Sequence, residues 1–248
     1  MRLKVLTYNI HKGFNALGTN FILESIRQSL RDTNADILFL QEVVGENHKN
    51  RQSIANWPSK SQFEYLADQN WQHSSYGKNA IFPERHHGNA ILSKFPIISS
   101  ENLNISNHRL EQRGLLHCQV QIPNQQKKLH LFNTHIDLFS SGRKKQIHKI
   151  NQRIHHATKS SDPILLAGDF NDWRLEVPHW LDTRHQLEEA HTHLKGTPAK
   201  SFPCFFPILK LDRIYFRGLK PAACEVLKDT VWSKLSDHLP LLAEFEIE

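Results

Sequence analysis

Eight polar residues stand where apolar stretches of this chain stop. Asn9 closes LKVLTYN, Glu42 follows DILFLQ, His135 follows LHLFNT, Asp169 and Asn171 follow PILLAG, Asp212 opens DRIYF, and Asp237 and His238 sit in SDHLP. Together they make four carboxylates, two amides and two imidazoles, the group types that move protons and hold cations. Polar groups at the ends of buried strands are where layered α/β enzymes assemble their sites. Each residue alone has a plainer reading: a strand-end Asn is a turn former, an Asp before Phe-Asn makes an Asx-turn, and Ser-Asp before a strand is a loop. Their joint occurrence is what points to a site. Phosphate loops of the GxxxxGK type, Ser-His-Asp elbows, CxxC pairs and HExxH helices are absent.

The elements that must position these groups alternate along the chain. Strand patterns occur at 3–10, 36–43, 88–98, 114–122, 128–136, 163–170, 211–216 and 240–247, several of them continuous apolar runs of the kind covered on both faces. Helical spacing predicts helices over 20–34, 51–69 and 141–158. No linker rich in Pro, Gly or Ser divides the chain, so residues 1–248 are expected to form one domain. At 248 residues, such a domain buries about three quarters of its unfolded surface, and its core needs no disulfide or metal staple.

Composition narrows the class further. Three cysteines, Cys118, Cys204 and Cys224, are too few and too scattered for a disulfide framework or a cysteine zinc site, and fit a reducing compartment. The N-terminal MRLKVLTYNIHKG lacks the apolar core of a secretory signal, and no apolar run is long enough to span a bilayer, so a cytoplasmic protein is expected. A net charge of +6 favours a phosphate-bearing partner: nucleic acid, an anionic lipid surface or a small phosphoester. Arg143, Lys144, Lys145, Lys149, Arg153 and Lys159 read as the solvated basic face of a helix whose Ile147, Ile150, Ile154 and Ala157 point inward. His86-His87 and His155-His156 read as surface features.

Seven segments carry a resemblance. In its YNIH, QEV, GNAILSKFPI, NTHID, AGDFND, LDRI and SDHLPL, in that order from Tyr8 to Leu241, the chain resembles the endonuclease/exonuclease/phosphatase superfamily, the metal-dependent phosphoesterases that include deoxyribonuclease I. The NIHKGF opening, the HHGNAILS segment and the FPILKLDRIY segment look most like a small bacterial branch of it. The resemblance implies a four-layered α/β sandwich, two facing mixed β-sheets flanked by helices, with the site at one edge. It implies a metal site of Asn9, Glu42 and Asp237. Asp169 and Asn171 would position or deprotonate the attacking water, and His238 would be oriented by Asp212. His135 would hydrogen-bond the scissile phosphate. Arg113, in QRG, matches the arginine that many relatives use as a phosphate clamp, although an arginine at a strand start is also an ordinary surface charge.

These residue types suit phosphoester hydrolysis, where catalysis consists of positioning water and neutralising phosphoryl charge. Oxygen ligands favour Mg²⁺, with Mn²⁺ as a substitute, over Zn²⁺. The expected activity is therefore that of a Mg²⁺-dependent hydrolase of ester bonds, a phosphodiesterase using a metal-oriented water. The alternatives are a nuclease on single-stranded or structured DNA or RNA, a hydrolase of phospholipids or small phosphoesters, and an inactive binding module of the same fold. No obligate protein partner is indicated, and any membrane contact would be peripheral. Asn89 either supports the Glu42 side of the site or caps a strand. The apolar segment 197–210 is a substrate rim that stacks on a base, a lipid-touching patch, or core packing by Phe202, Phe205 and Phe206.

Overall fold

The computed structural model describes residues 1–108 and 111–247. Among the described residues, twelve strands are arranged in two six-stranded sheets. They are β1 (Arg2–Asn9), β2 (Ile37–Asn47), β3 (His73–Phe82), β4 (Arg85–Ser93), β5 (Ile97–Asn104), β6 (Gly114–Val120), β7 (Leu129–His135), β8 (Ile164–Asp169), β9 (Glu188–Glu189), β10 (Asp212–Arg217), β11 (Lys220–Val226) and β12 (Leu241–Glu246). The helices are α1 (Leu23–Asp32), α2 (His48–Ser53), α3 (Gln62–Ala67), α4 (Ser140–Ala157), α5 (Val177–Trp180), α6 (Ala190–Lys195) and α7 (Trp232–Leu235). The first sheet runs β11-β12-β1-β2-β4-β3 and the second β5-β6-β7-β8-β10-β9.

Alternation explains the layering. Leu3, Val5, Ile37 and Phe39 of the first sheet face Leu116, Leu131, Leu165 and Ile214 of the second in one buried cluster. The opposite faces are buried too: Leu6, Tyr8, Leu38 and Leu40 against Leu23, Ile26 and Leu30 of α1, and Phe132, Ile164 and Leu166 against Ile147, Ile150 and Ile154 of α4. Each such aliphatic side chain contributes about 1.5–3 kcal/mol by burial. The result is the four-layered α/β sandwich that the resemblance implied, two mixed sheets between helices.

Register brings the strand ends together. In both sheets one central pair is parallel, β1 with β2 and β7 with β8, so their carboxyl ends fall side by side: Asn9 pairs with Gln41, and His135 with Asp169. Strand β10 runs antiparallel to β8, which sets its first residue, Asp212, opposite the last of β8, Asp169. Residues 43 positions apart in sequence thereby become neighbours by sheet geometry.

Three expectations need correction. The helix predicted over 51–69 is two short helices, α2 and α3, because Pro58 disfavours helix at Trp57 and the Ser61–Glu64 capping box starts a new helix. The strand predicted over 88–98 ends at Ser93, and Ile97 begins β5 in the other sheet; Pro96 between them has no N–H for a ladder. Finally, β3, β5, β9 and β11 lay outside the apolar patterns. In β5 most residues are exposed, and β3, β5, β9 and β11 are all sheet edges, where one-sided burial leaves little periodic signal.

Candidate active site

Local backbone distortions aim the polar groups. Strand β2 slips register against β4 between Leu40 and Val43, and within this bulge Glu42 takes a left-handed φ of 55°. A bulge re-aims side chains: Gln41 turns between the sheets, where it is fully buried, while Glu42 turns to the strand-end cluster. At the end of β8, Gly168 has φ +145°, and a Cβ there would lie 1.9 Å from the Thr134 carbonyl oxygen. Only glycine allows β7 and β8 to approach this closely before Asp169. Beyond it, the Asn171 N–H donates to Asp169 Oδ1 at 2.9 Å, an Asx-turn, and Asn171 Nδ2 holds the Ile136 carbonyl at 2.9 Å. The SDHLP turn is pinned to β1 by Ser236 Oγ, which donates to the Asn9 carbonyl at 2.7 Å.

At the centre lies His238, 5% exposed. Its Nδ1 is 2.9 Å from Asp212 Oδ2, and its Nε2 is 3.6 Å from Asp169 Oδ2. Ser201 Oγ donates to Asp212 Oδ2 at 2.5 Å, and Asn9 Nδ2 to Asp169 Oδ2 at 3.2 Å. His135 Nε2 reaches the same Asp169 oxygen at 3.5 Å. Burial works against charge on His238, but Asp212 and Asp169 outweigh it and push its pKa up to about 10. Burial, then Asp212, raises Asp169 to about 6 against the opposing pull of His238. His135 moves the other way: burial and the Arg113 charge hold it well below the ordinary histidine range, as a neutral imidazole. Among the described residues, buried Asp212 Oδ1 has no hydrogen-bond partner.

Glu42 lies beside Lys12, whose Nζ is 2.7 Å from Glu42 Oε2. Burial would raise this carboxylate, yet the Lys12 charge dominates and lowers it to about 2, so it is ionised. The Lys12 loop carries left-handed backbone at His11 and Lys12 and is held by Gln62, whose Nε2 donates to the Lys12 carbonyl at 2.7 Å. Asp237 is half-buried, accepts from Ser236 Oγ at 3.2 Å and lies 3.8 Å from His11 Nδ1. Asn9 Oδ1 accepts the His11 N–H at 3.1 Å.

Of the residues singled out in the sequence, Asn9, His135, Asp169, Asp212 and His238 form one contiguous network, with Asn171 tied into it by backbone. Arg113 stands near enough to depress His135 and His87, but its guanidinium is engaged by Glu111 at 3.0 Å. Asn89 is buried in the inter-sheet seam, its Nδ2 donating to the Gly114 carbonyl at 3.2 Å. Three plain readings fail at particular residues. Arg143 is fully buried, paired with Glu176 at 2.9 Å, rather than on a solvated face; its spacing matched that of the exposed lysines, and burial needed Glu176 and Trp173 from another loop. Arg153 pairs with Glu101 and His117. His86 is no surface feature, being hydrogen-bonded to the Tyr76 hydroxyl at 3.0 Å. Phe205 and Phe206 do not pack in the core but are 63% and 73% exposed, while Phe202 lies 4.9 Å from the His238 ring.

Several supporting groups gave no motif of their own. Gln41 Nε2 donates to Asn133 Oδ1 at 2.8 Å, and Asn133 Nδ2 bonds the Leu40 and Ala90 carbonyls, joining the two sheets beneath the site. Asp172 accepts the N–H groups of Glu176 and Val177 and faces buried Arg213 at 4.0 Å. Lys12 was visible as part of NIHKGF, but only the fold sets it against Glu42.

Glu42, Asp237 and the Asn9 amide are oxygen donors without a thiol, a set suited to a hard divalent cation; an ionised Glu42 already attracts a cationic partner. Among the described residues, Asp169, Asp212 and His238 also form a compact group whose ligand atoms lie within 4.8 Å of one another, as do His108, Glu111 and Asp137.

The sequence model of the Endonuclease/Exonuclease/phosphatase family matches residues 6–238. The uncharacterized protein YbhP of Escherichia coli K12 is 42% identical over 244 residues, covering 98% of this chain and 96% of that protein. An endonuclease/exonuclease/phosphatase from Bacteroides vulgatus superposes with a TM-score of 0.76 at 17% identity, covering all of both chains. D. rerio TDP2, solved with a single-strand DNA product, superposes with a TM-score of 0.71 at 18% identity, covering 99% of both.

Proposed function

Because this chain belongs to the endonuclease/exonuclease/phosphatase family, whose members are hydrolases of phosphoester bonds and generally use divalent metals, we propose that it is a Mg²⁺-dependent phosphodiesterase. The observation that carries this reading is the buried His238 held between Asp212 and Asp169. With Asp212 hydrogen-bonded at Nδ1 and the Asp169 carboxylate 3.6 Å from Nε2, the imidazole is held doubly protonated and has no free lone pair to take a proton. Its role is then that of a fixed cation facing the phosphoryl oxygens, and water activation falls to Asp169. Asn171 and Asn9 hold that carboxylate in place.

Water attacks phosphorus as its proton passes to Asp169, the P–O bond to the leaving group breaks, and the departing alkoxide takes a proton from solvent while Asp169 returns its own to solvent, giving a phosphomonoester and an alcohol without a covalent enzyme intermediate. Neutral His135 donates a hydrogen bond to the phosphate. Arg113, once released from Glu111, adds a second positive contact. Glu42 and Asp237, with Asn9, would hold Mg²⁺ or Mn²⁺. When bound, such a cation neutralises phosphoryl charge and stabilises the leaving oxygen.

A second reading, a nuclease on single-stranded nucleic acid, draws on the TDP2 structure solved with single-strand DNA product. We place the protein in the cytoplasm, supported by three buried free thiols, and infer no obligate protein partner. Among the described residues no helix is long and apolar enough to cross a membrane. The reading is tested with bis-p-nitrophenyl phosphate, single-stranded and duplex DNA, RNA and phospholipids, each in Mg²⁺, Mn²⁺ and EDTA. Mg²⁺-dependent diester hydrolysis is expected; full activity in excess EDTA would refute the metal, and no hydrolysis of any diester would refute the reaction.

A further inference from the structure

Three loops leaving the site carry apolar side chains into solvent. Leu138 and Phe139 follow His135 by three and four residues, and Phe139 is 71% exposed. Trp173 follows Asn171 by two residues and is 44% exposed. Phe205 and Phe206 precede Asp212 and are more than half exposed. Isolated exposed apolar residues are ordinary, but five on three loops that leave one site are not.

The loops are fixed relative to one another. Arg143 Nη1 donates to the Leu138 carbonyl at 2.7 Å, and the Arg143 guanidinium lies 5.3 Å from the centre of the Trp173 ring. Asn171 and Ile136, two residues before Trp173 and Leu138, are hydrogen-bonded at 2.9 Å. On the other side, the Cys204 N–H donates to the Asp237 carbonyl at 2.8 Å and the Phe202 ring lies 4.9 Å from that of His238, which ties the loop bearing Phe205 and Phe206 to the site. The buried Arg143 guanidinium, paired with Glu176, thus also braces the Leu138 and Trp173 loops, which argues for a rigid apolar rim.

Positive charge flanks it. Exposed Arg174 adjoins Trp173, exposed Lys144 lies in the first turns of α4 after Phe139, and exposed Lys234 in α7 neighbours Cys204, whose Sγ meets the Ser233 carbonyl at 3.2 Å. Of the nearby acids, Glu176 pairs with Arg143, and Asp229 caps α7 by accepting the Val231 N–H at 2.9 Å. Apolar tips with flanking cations match an anionic bilayer, in which side chains enter the acyl boundary and Lys and Arg meet lipid phosphates. A nucleobase would use the aromatic rings alone and give Leu138 no role.

We propose that this rim docks the site end of the protein onto an anionic phospholipid surface, with Phe139, Trp173, Phe205 and Phe206 inserting and Lys144, Arg174 and Lys234 contacting headgroup phosphates. It goes beyond the phosphodiesterase reading and does not need turnover, so the two fail separately: a chain that hydrolyses diesters without binding vesicles loses only this inference, and one that binds vesicles without hydrolysis loses only the other.

The test is co-sedimentation of the full chain with phosphatidylglycerol/phosphatidylcholine vesicles and with pure phosphatidylcholine vesicles, alongside binding to a fluorescent single-stranded oligonucleotide. Binding to the anionic vesicles is expected to be at least tenfold tighter than to the neutral ones and to weaken with salt. Phe205→Ser with Phe206→Ser should lower it about tenfold, and Trp173→Ala should abolish most of the blue shift in tryptophan emission on adding vesicles. Both changes fall on exposed loop tips, and circular dichroism verifies the fold. Equal or no sedimentation with the two vesicle types overturns the proposal. So does loss of oligonucleotide affinity in the Phe205/Phe206 variant without vesicle binding, or a rim-dependent dimer in light scattering.

Discussion

Two buried histidine arrays in this molecule differ in charge, one cationic and one neutral. His238 stands between Asp212 and Asp169 and is held cationic, its pKa pushed up to about 10. His117 and His130, stacked on the outer face of the second sheet, meet each other through His117 Nε2 and His130 Nδ1 at 3.0 Å. There, Arg153 donates to His117 Nδ1 at 3.2 and 3.0 Å. Burial and then the Arg153 charge depress His117 to about 3, and burial lowers His130 too. Burial opposes charge on both; the neighbours decide the outcome. Carboxylates make an imidazole a permanent cation, and a guanidinium makes it an acceptor.

The comparison can be broken first at the site. His238→Ala removes the fixed cation and should lower kcat by about 10²–10³, on the order of 3–4 kcal/mol of transition-state stabilisation, in steady-state assays on a phosphodiester. An unchanged kcat would mean that the carboxylates around His238 are structural. Glu42→Gln should come next, weakening Mg²⁺ binding by about 10–100-fold in calorimetry and depressing turnover with it, partly rescued at high Mn²⁺. Metal affinity equal to wild type would remove Glu42 from the ligand set.

The neutral array predicts a stability effect with a definite sign. A histidine whose folded pKa is depressed binds fewer protons folded than unfolded, so its contribution is complete above about pH 6.5 and is lost as pH falls toward 3. Over that window, urea unfolding should lose up to about 1.4 kcal/mol per pH unit from His117. His117→Gln should flatten the slope. A slope unchanged in the variant would assign the acid loss to other groups. The smallest effect belongs to Arg113: because it is shared with Glu111, Arg113→Ala should raise KM by about tenfold or less, roughly the scale of a partly exposed ion pair, with kcat nearly kept. A larger loss in kcat than in KM would make it a transition-state contact.

Much of the site is legible from the chain because parallel strands end in register. LHLFNTH and PILLAGD each place a polar group after an apolar run, and β7 beside β8 then sets His135 against Asp169. Glu42 was legible as a residue but not as a direction, since its aim depends on a bulge and a left-handed φ that QEV does not announce. Asn133 reads as part of NTH, yet its work is to bridge the sheets, a role that exists only when Gln41 arrives from the other side. Likewise, Arg143 shared helical spacing with solvent-facing lysines, and its burial depends on Glu176 and Trp173 from a distant loop. What the sequence withheld were partners across space, not the chemical groups themselves.

The central claim is that Asp212 and His238, 26 positions apart, act as one unit, and a double-mutant cycle in kcat/KM tests it most directly. Asp212→Asn alone should lower kcat/KM substantially, and adding it to His238→Ala should cost little beyond His238→Ala by itself. Losses that add in full would contradict the account, because the carboxylate and the imidazole would then serve the reaction independently.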